Sequence, residues 1–128
     1  MDSEQKQRAA RTFLSVLGKP DAAVLESVVA PDVIWTFPGS SPISGEAHGI
    51  DGILKRAGVI AAYGVKVEIL HATFSYTGGV SMILHNTAIK NGRTLDEHLC
   101  AVFAFKDGRI SRLDTYLSDV AMAEAFFG

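Results

Sequence analysis

Apolar residues recur at helical spacing over the first thirty positions and switch to strict alternation after position 64. Ala9, Ala10, Phe13, Leu14 and Leu17 share one face at a 3.6-residue period and predict a first helix, ended by Gly18. Pro20 stands where the first turn of a second helix would begin. Val24, Leu25, Val28 and Val29 form its apolar face, and Pro31 stops it. Val33, Trp35 and Phe37 alternate as in a short strand, and a loop dense in Gly, Pro and Ser follows from Pro38 to Gly45. A third helix is predicted from about Ile50 to Ala62, with Ile53, Leu54, Ala57, Ile60 and Ala61 inward. Four strands follow, at about 65–77, 80–90, 93–105 and 109–117. Gly78-Gly79, Asn91-Gly92 and Lys106-Asp107-Gly108 separate them as turns. A short last helix, about Ser118 to Phe127, takes Ser118 as its N-cap. The order α-α-β-α-β-β-β-β-α gathers helices on one side of a mostly antiparallel sheet, an α+β domain over residues 1–128.

The turns fix a register, and the register predicts a site. Asn91-Gly92 as a two-residue loop pairs Asn86 with Glu97, Leu84 with Leu99, Ala88 with Leu95 and Met82 with Ala101. On the opposite face His85 meets His98, and Thr87 meets Asp96. Gly78-Gly79 as a two-residue loop brings His71 opposite Asn86, Thr73 opposite Leu84 and Ile69 opposite Ala88. One face then carries the polar row His71–Asn86–Glu97 among apolar neighbours. Polar groups on such a face need partners, because an unpaired buried one costs roughly 1–3 kcal/mol. That is what a ligand pocket requires. The last turn leaves two registers open. A two-residue Asp107-Gly108 loop puts Asp114 inside; a three-residue Lys106-Asp107-Gly108 loop puts Leu113, Thr115 and Leu117 there. The apolar pair Leu113 and Leu117 favours the second.

Composition narrows the classes. Of 128 residues 48% are hydrophobic and 20% charged, enough for one folded core and too apolar for a disordered chain. The formal net charge of -2 argues against a nucleic-acid partner. A mean hydropathy of +0.20 is high for a small domain and points to an apolar cavity, a covered subunit face, or both. No apolar run approaches the ~20 residues of a membrane span, and the polar first residues do not resemble a signal peptide. A cytoplasmic protein without membrane association is expected. The single cysteine, Cys100, excludes a disulfide framework or a multi-cysteine zinc site, and it reads as a small buried residue in mid-strand.

No phosphate loop, dinucleotide fingerprint, H-E-x-x-H, C-x-x-C or G-x-S-x-G elbow is present. No cofactor and no metal are expected. His85 and His98 with Asp96 nearby match a metal site weakly, and they fit a hydrated sheet face or a subunit interface better. His48 lies in a Gly-rich stretch before the third helix, either touching a ligand or at the surface.

Ala30-Pro31-Asp32-Val33-Ile34-Trp35-Thr36-Phe37-Pro38-Gly39, His48-Gly49-Ile50-Asp51-Gly52-Ile53, Asn91-Gly92-Arg93, Val102-Phe103-Ala104-Phe105-Lys106-Asp107-Gly108-Arg109-Ile110 and Tyr116-Leu117-Ser118-Asp119 occur in that order. With the element order, they resemble the SnoaL-like branch of the nuclear transport factor 2-like superfamily, which also holds ketosteroid isomerase, limonene epoxide hydrolase and scytalone dehydratase. The resemblance spans essentially the whole chain. It implies a cone-shaped α+β barrel, a strongly curved, mostly antiparallel sheet wrapped around helices with an internal apolar pocket. It also implies a homodimer through the outer sheet face. Aligned on the two hairpins, it turns Asn86, Glu97, Leu99, Ala101, Leu113, Thr115 and Leu117 to the pocket.

The family's catalytic groups do not carry over. The isomerase places fall on or near Phe13, Phe37 and Ala101, none of which can donate or accept a proton. The epoxide hydrolase places fall near Leu84, Asn86 and Thr115. The late carboxylate of SnoaL-type cyclases has Asp114 and Asp119 nearby, but Asp114 points outward in the favoured register. The expectation is a small-molecule enzyme using general acid/base chemistry on an apolar, cyclic or polyketide-like substrate, of isomerase, cyclase or hydratase/hydrolase type. Glu97 or His71 would be the base, with Asn86 and Thr115 binding a substrate oxygen. Phe13, Leu17, Trp35, Phe37, His48, Leu84, Leu99, Ala101, Leu113, Thr115 and Leu117 would form the substrate-binding walls. The alternative is a non-catalytic binding protein for a small apolar ligand.

Overall fold

Asp2 starts the first helix with a reciprocal cap. Its carboxylate accepts from Gln5 N, and the Gln5 side chain accepts from Asp2 N, both at 2.8 Å. Helix α1 (Ser3–Ser15) then buries Ala9, Ala10, Phe13 and Leu14. Asp21 caps α2 (Ala22–Glu26), which is only five residues long. Val29 already belongs to the first strand, β1 (Val29–Phe37). Pro31 therefore does not stop a helix. It lies in β1 where the register against its neighbour shifts between Val29 and Ile34, a place that tolerates a residue without an N–H. The Gly/Pro/Ser loop leads into a strand the alternation did not reveal, β2 (Gly45–His48), too short to show a period.

The computed structural model describes residues 1–128. After β2 come α3 (Gly49–Ala62), β3 (Lys66–Phe74), β4 (Val80–Lys90), β5 (Arg93–Lys106), β6 (Arg109–Leu117) and α4 (Val120–Phe127). The strands form one six-stranded sheet in the order β2-β1-β6-β5-β4-β3. Only β1 and β6 run parallel. The helices pack on one face of this curved sheet as a cone-shaped α+β barrel, and a single cluster of buried apolar residues joins both layers. No helix is long and apolar enough to cross a membrane.

Three hairpins set the inner face. In β4–β5 the two-residue loop holds: Asn91 and Gly92 have φ of 52° and 75°, and Asn86 pairs with Glu97 and Leu84 with Leu99. In β3–β4 the expected two-residue loop is replaced by five residues. Phe74 pairs with Val80, and Ser75–Gly79 form the turn, with Gly79 N donating to Ser75 Oγ at 3.0 Å. The register shifts once more between Ile69 and His71. Asn86 consequently faces Val67, and His71 faces Ile83 on the outer side. In β5–β6 the loop is two residues, Asp107 and Gly108, both left-handed at φ 53° and 77°. It is not the three-residue loop. A bulge between Ala104 and Phe105, with Ser111 the extra residue opposite, restores the other parity, so Ala101 pairs with Thr115 and Leu99 with Leu117. The expected residues face inward through a different turn.

The parallel pair β1–β6 is fastened on both faces. Inside, Trp35 Nε1 donates to Thr115 Oγ1 at 2.8 Å. Outside, Thr36 Oγ1 donates to Asp114 Oδ1 at 2.6 Å, and Arg112 Nε donates to Asp114 Oδ2 at 2.8 Å. Partial burial pushes the Asp114 carboxyl up, but the bonds from Arg112 and Thr36 outweigh it and hold it below its ordinary 3.8. From α3, Arg56 reaches the paired strands β1 and β2. It donates to Trp35 O at 2.7 Å and Gly45 O at 3.0 Å, with its guanidinium 5.0 Å from the Trp35 ring. Arg56 is 6% exposed and lacks a carboxylate partner. Burial lowers it to about 10, so it remains a cation at neutral pH.

Two predictions follow from these fastenings. Arg56→Met strips the donor from two strand carbonyls and should cost about 3 kcal/mol in urea unfolding, whereas Arg56→Lys should recover part of it. A carboxyl with a folded value below its unfolded one adds stability above the unfolded value and loses it as pH falls through the folded one. Asp114→Asn should therefore lower stability by under ~1 kcal/mol at pH 6, and the gap should narrow as the pH falls to 3. An equal gap at both pH values would overturn this.

Candidate functional site

Between the inner face of the sheet and α1, α3 and α4 lies a cavity of about 540 Å³ of free space, its open mouth included. Fourteen of its seventeen lining residues are hydrophobic. The other three are Asn86, Glu97 and Thr115. Strand alternation puts all three on the inner face, Asn86 and Glu97 as direct cross-strand partners.

Glu97 is the one carboxylate in the wall, and it is 2% exposed. Ser118 Oγ donates to Glu97 Oε2 at 2.7 Å, and Asp119 N donates to Oε1 at 3.4 Å. The Ser118 hydroxyl is thus committed to Glu97. Asp119 caps α4 in its place, accepting from Met122 N at 3.0 Å. Beside Glu97, Asn86 Oδ1 is fully buried with no hydrogen-bond partner. Thr115 accepts from Trp35 Nε1 at the far side of the cavity. A carboxylate with spare lone pairs next to an unbonded amide can bind a hydroxyl or carbonyl oxygen and accept a proton.

Of the residues expected to contact substrate, Leu17, Trp35, Phe37, Leu84, Leu99, Ala101, Leu113, Thr115 and Leu117 line this cavity, as do Asn86 and Glu97. Three do not. His71 lies past the register shift in β3 and is exposed on the outer face, so it leaves the polar row. His48 sits at the end of β2 on the sheet edge, exposed, with Nε2 3.0 Å from Glu46 Oε1. The unforeseen strand carries it there. Phe13 is fully buried behind the wall, edge-on to Trp35 and Phe103.

Leu14, Ile60, Val65, Leu95, Ala123 and Phe127 complete the lining. Leu95 was legible as an inward neighbour of Glu97. The others lie on or beside helices, where the apolar period marks a buried face without telling cavity wall from solid core. Phe127 closes its side by packing edge-on to Phe37 and against Tyr63.

On the outer face the His85 and His98 rings stack at 4.3 Å, and His85 Nε2 lies 2.6 Å from Asp96 Oδ1. No group of three or more His, Cys, Asp or Glu side chains is placed to hold a metal ion. Cys100 is half-buried on the same face.

Comparison with known proteins fits this architecture. The model of the SnoaL-like domain matches residues 10–113. The uncharacterized protein Rv0034 of Mycobacterium tuberculosis is 31% identical over 120 residues, 91% of each chain. Among solved structures, Bal32a from a soil-derived mobile gene cassette is 29% identical, with a TM-score of 0.87 over 98% of both chains. SalBIII, an epoxide hydrolase/cyclase-like enzyme in pyran ring formation of the polyether salinomycin, shares the fold alone. It is 16% identical, with a TM-score of 0.71 over 90% of this chain and 91% of its own. The matched model covers most of the chain and coincides with the cavity-bearing barrel, so the protein belongs to the SnoaL-like family.

Proposed function

We propose that this protein is a small-molecule enzyme that takes an apolar, cyclic or polyketide-like substrate into its cavity and moves a proton by general acid/base chemistry. The observation that carries this reading is the unbonded Asn86 amide beside buried Glu97 in an otherwise apolar wall. A buried polar atom without a partner is costly, and a substrate oxygen is a partner of the right chemistry. Glu97 is the general base, because no other lining side chain ionises. Asn86 holds the substrate oxygen. Its amide can donate to a carbonyl or enolate oxygen and accept from a hydroxyl. By the resemblance the isomerase places fall on or near Phe13, Phe37 and Ala101, none of which can move a proton, so the reading does not use that set. Ring formation by SalBIII on the same fold agrees with a cyclic product or substrate.

One observation favours a second reading, a binding protein without catalysis. Glu97 already accepts from Ser118 and Asp119, which gives it a structural task at the start of α4. We also propose that the outer sheet face is covered by a second copy of the chain. Its central row, Ile83–Cys100–Tyr116, leaves Tyr116 63% exposed beside the stacked His85 and His98.

Base-promoted ring opening of 5-nitrobenzisoxazole tests whether Glu97 is free to act as a base in the cavity, since a carboxylate there that is not tied up by the fold can take the C3 proton as the N–O bond breaks. The release of the cyanophenolate is followed by absorbance. Glu97→Gln should slow it by about 10²–10⁴-fold. Equal rates in both proteins, with the probe shown to bind, would favour the binding protein. For the dimer, sedimentation velocity at tens of micromolar should give twice the chain mass, and Tyr116→Asp should shift it toward monomer. A wild-type protein that stays monomeric at high concentration sinks the dimer.

A further inference from the structure

The three polar residues of the cavity are not one cluster. Glu97 and Ala101 are four residues apart on β5, about 13 Å at ~3.3 Å per residue, and Thr115 stands one strand away, opposite Ala101. Asn86 is opposite Glu97. Between these ends the inner face carries Leu84, Leu99 and Leu117. One continuous cavity touches both ends.

Each end has a different unmet hydrogen-bonding need. At the Asn86 end, Oδ1 is buried and unbonded, and the side-chain amide makes no bond to the protein through either atom. Glu97 next to it uses one hydrogen bond per oxygen and keeps further lone pairs. This end offers acceptors above all, with the two amide protons beside them. At the other end, Thr115 Oγ1 is an acceptor for Trp35 Nε1 at 2.8 Å. A hydroxyl that accepts still has its own proton to give, and that proton has no acceptor in the protein. This end offers a donor.

We infer that the cavity recognises a two-ended ligand: an elongated apolar body with a hydroxyl at the Asn86–Glu97 end and a carbonyl or ether oxygen at the Thr115 end. The separation of the two oxygens is about 10 Å, the ~13 Å between the ends less the oblique reach of two hydrogen bonds. The hydroxyl donates to Asn86 Oδ1 or to a free Glu97 lone pair and accepts from the Asn86 amide. The distal oxygen accepts from Thr115. The leucines between contact the body and supply no polar group. The inference rests on the reading of the cavity as a small-molecule site and adds the ligand's polarity and length to it.

Four rod-shaped probes test it by calorimetric titration of the full-length protein: 4-acetyl-4′-hydroxybiphenyl, 4-hydroxybiphenyl, 4-acetylbiphenyl and biphenyl. The first carries its two oxygens at about the required spacing. It should bind about 10–100-fold tighter than biphenyl, with each single-ended probe between them. Asn86→Leu should reduce only the hydroxyl's advantage, leaving what Glu97 alone can accept, and Thr115→Val should abolish only the acetyl's. Thr115→Val also leaves the Trp35 N–H without its acceptor, so Thr115→Ser, which keeps the hydroxyl, should retain the acetyl preference. The wild-type ranking of the four probes needs no variant to fold. Equal affinity for all four overturns the two-ended ligand while the apolar site stands. No binding by any of them overturns both.

Discussion

Two left-handed dipeptides, Asn91–Gly92 and Asp107–Gly108, hold the register of the three central strands, and the cavity depends on that register. A side chain in a strand points to one face or the other, and a slip of a single residue reverses the whole strand. Asn91–Gly92 leaves no slack, so Asn86 and Glu97 arrive side by side on the concave face. Asp107–Gly108 alone would turn Asp114 inward and Thr115 outward. The bulge at Ser111 reverses that, placing Asp114 under Arg112 and Thr36 outside and Thr115 under Trp35 inside. Both partners of the β1–β6 seam are satisfied only in this arrangement. The bulge is therefore part of how the parallel pair is held.

Buried polar groups divide into those the fold uses and one it does not. Arg56 is tied to two strand carbonyls, Thr115 to Trp35, and Glu97 to the start of α4. Each ties a helix or strand to its neighbour, and in each the desolvated group finds hydrogen bonds in return. Asn86 has no such role. Its neighbours Leu84 and Ala88 on the same strand are apolar and buried, so an apolar residue at 86 would suit the core better than an unbonded amide does. The unmet need of that amide is what the proposed ligand would answer.

Much of this was legible in the sequence because strands with short turns make their pairings arithmetic. The alternation of Leu95, Glu97, Leu99 and Ala101 with Asp96, His98 and Cys100 gives the inner face, and Asn91–Gly92 gives its partner strand. The failures lie where the chain departs from the regular pattern. Gly78–Gly79 looked like a complete turn, yet the turn takes in Ser75, whose backbone and hydroxyl close it; this longer turn by itself puts His71 opposite Ile83 on the outer face, and the shift at Leu70 returns only Ile69 and Val67 to the inner one. The strand β2 has four residues, with only Ala47 buried among them. It is too short to announce itself, and His48 went with it to the sheet edge. Phe13 shows a different limit: a helical period says that a side chain is buried, not whether a cavity or another aromatic ring meets it. The walls supplied by α3 and α4 were hidden for the same reason.

The position of Glu97 links the wall and the chemistry of the cavity. The carboxylate is oriented by Ser118 and Asp119, and these two residues also start α4, which brings Ala123 and Phe127 to the lining. Phe127 in turn packs on Phe37 and Tyr63, so β1 and α3 feel the same helix. The direction in which Glu97 offers its free lone pairs and the placing of the apolar lid over it are consequently set by one junction. On the proposed reading, the base in this cavity needs a fixed orientation and exclusion of water together. Here the two residues just ahead of a short helix bind the carboxylate, and the helix itself brings Ala123 and Phe127 to the wall.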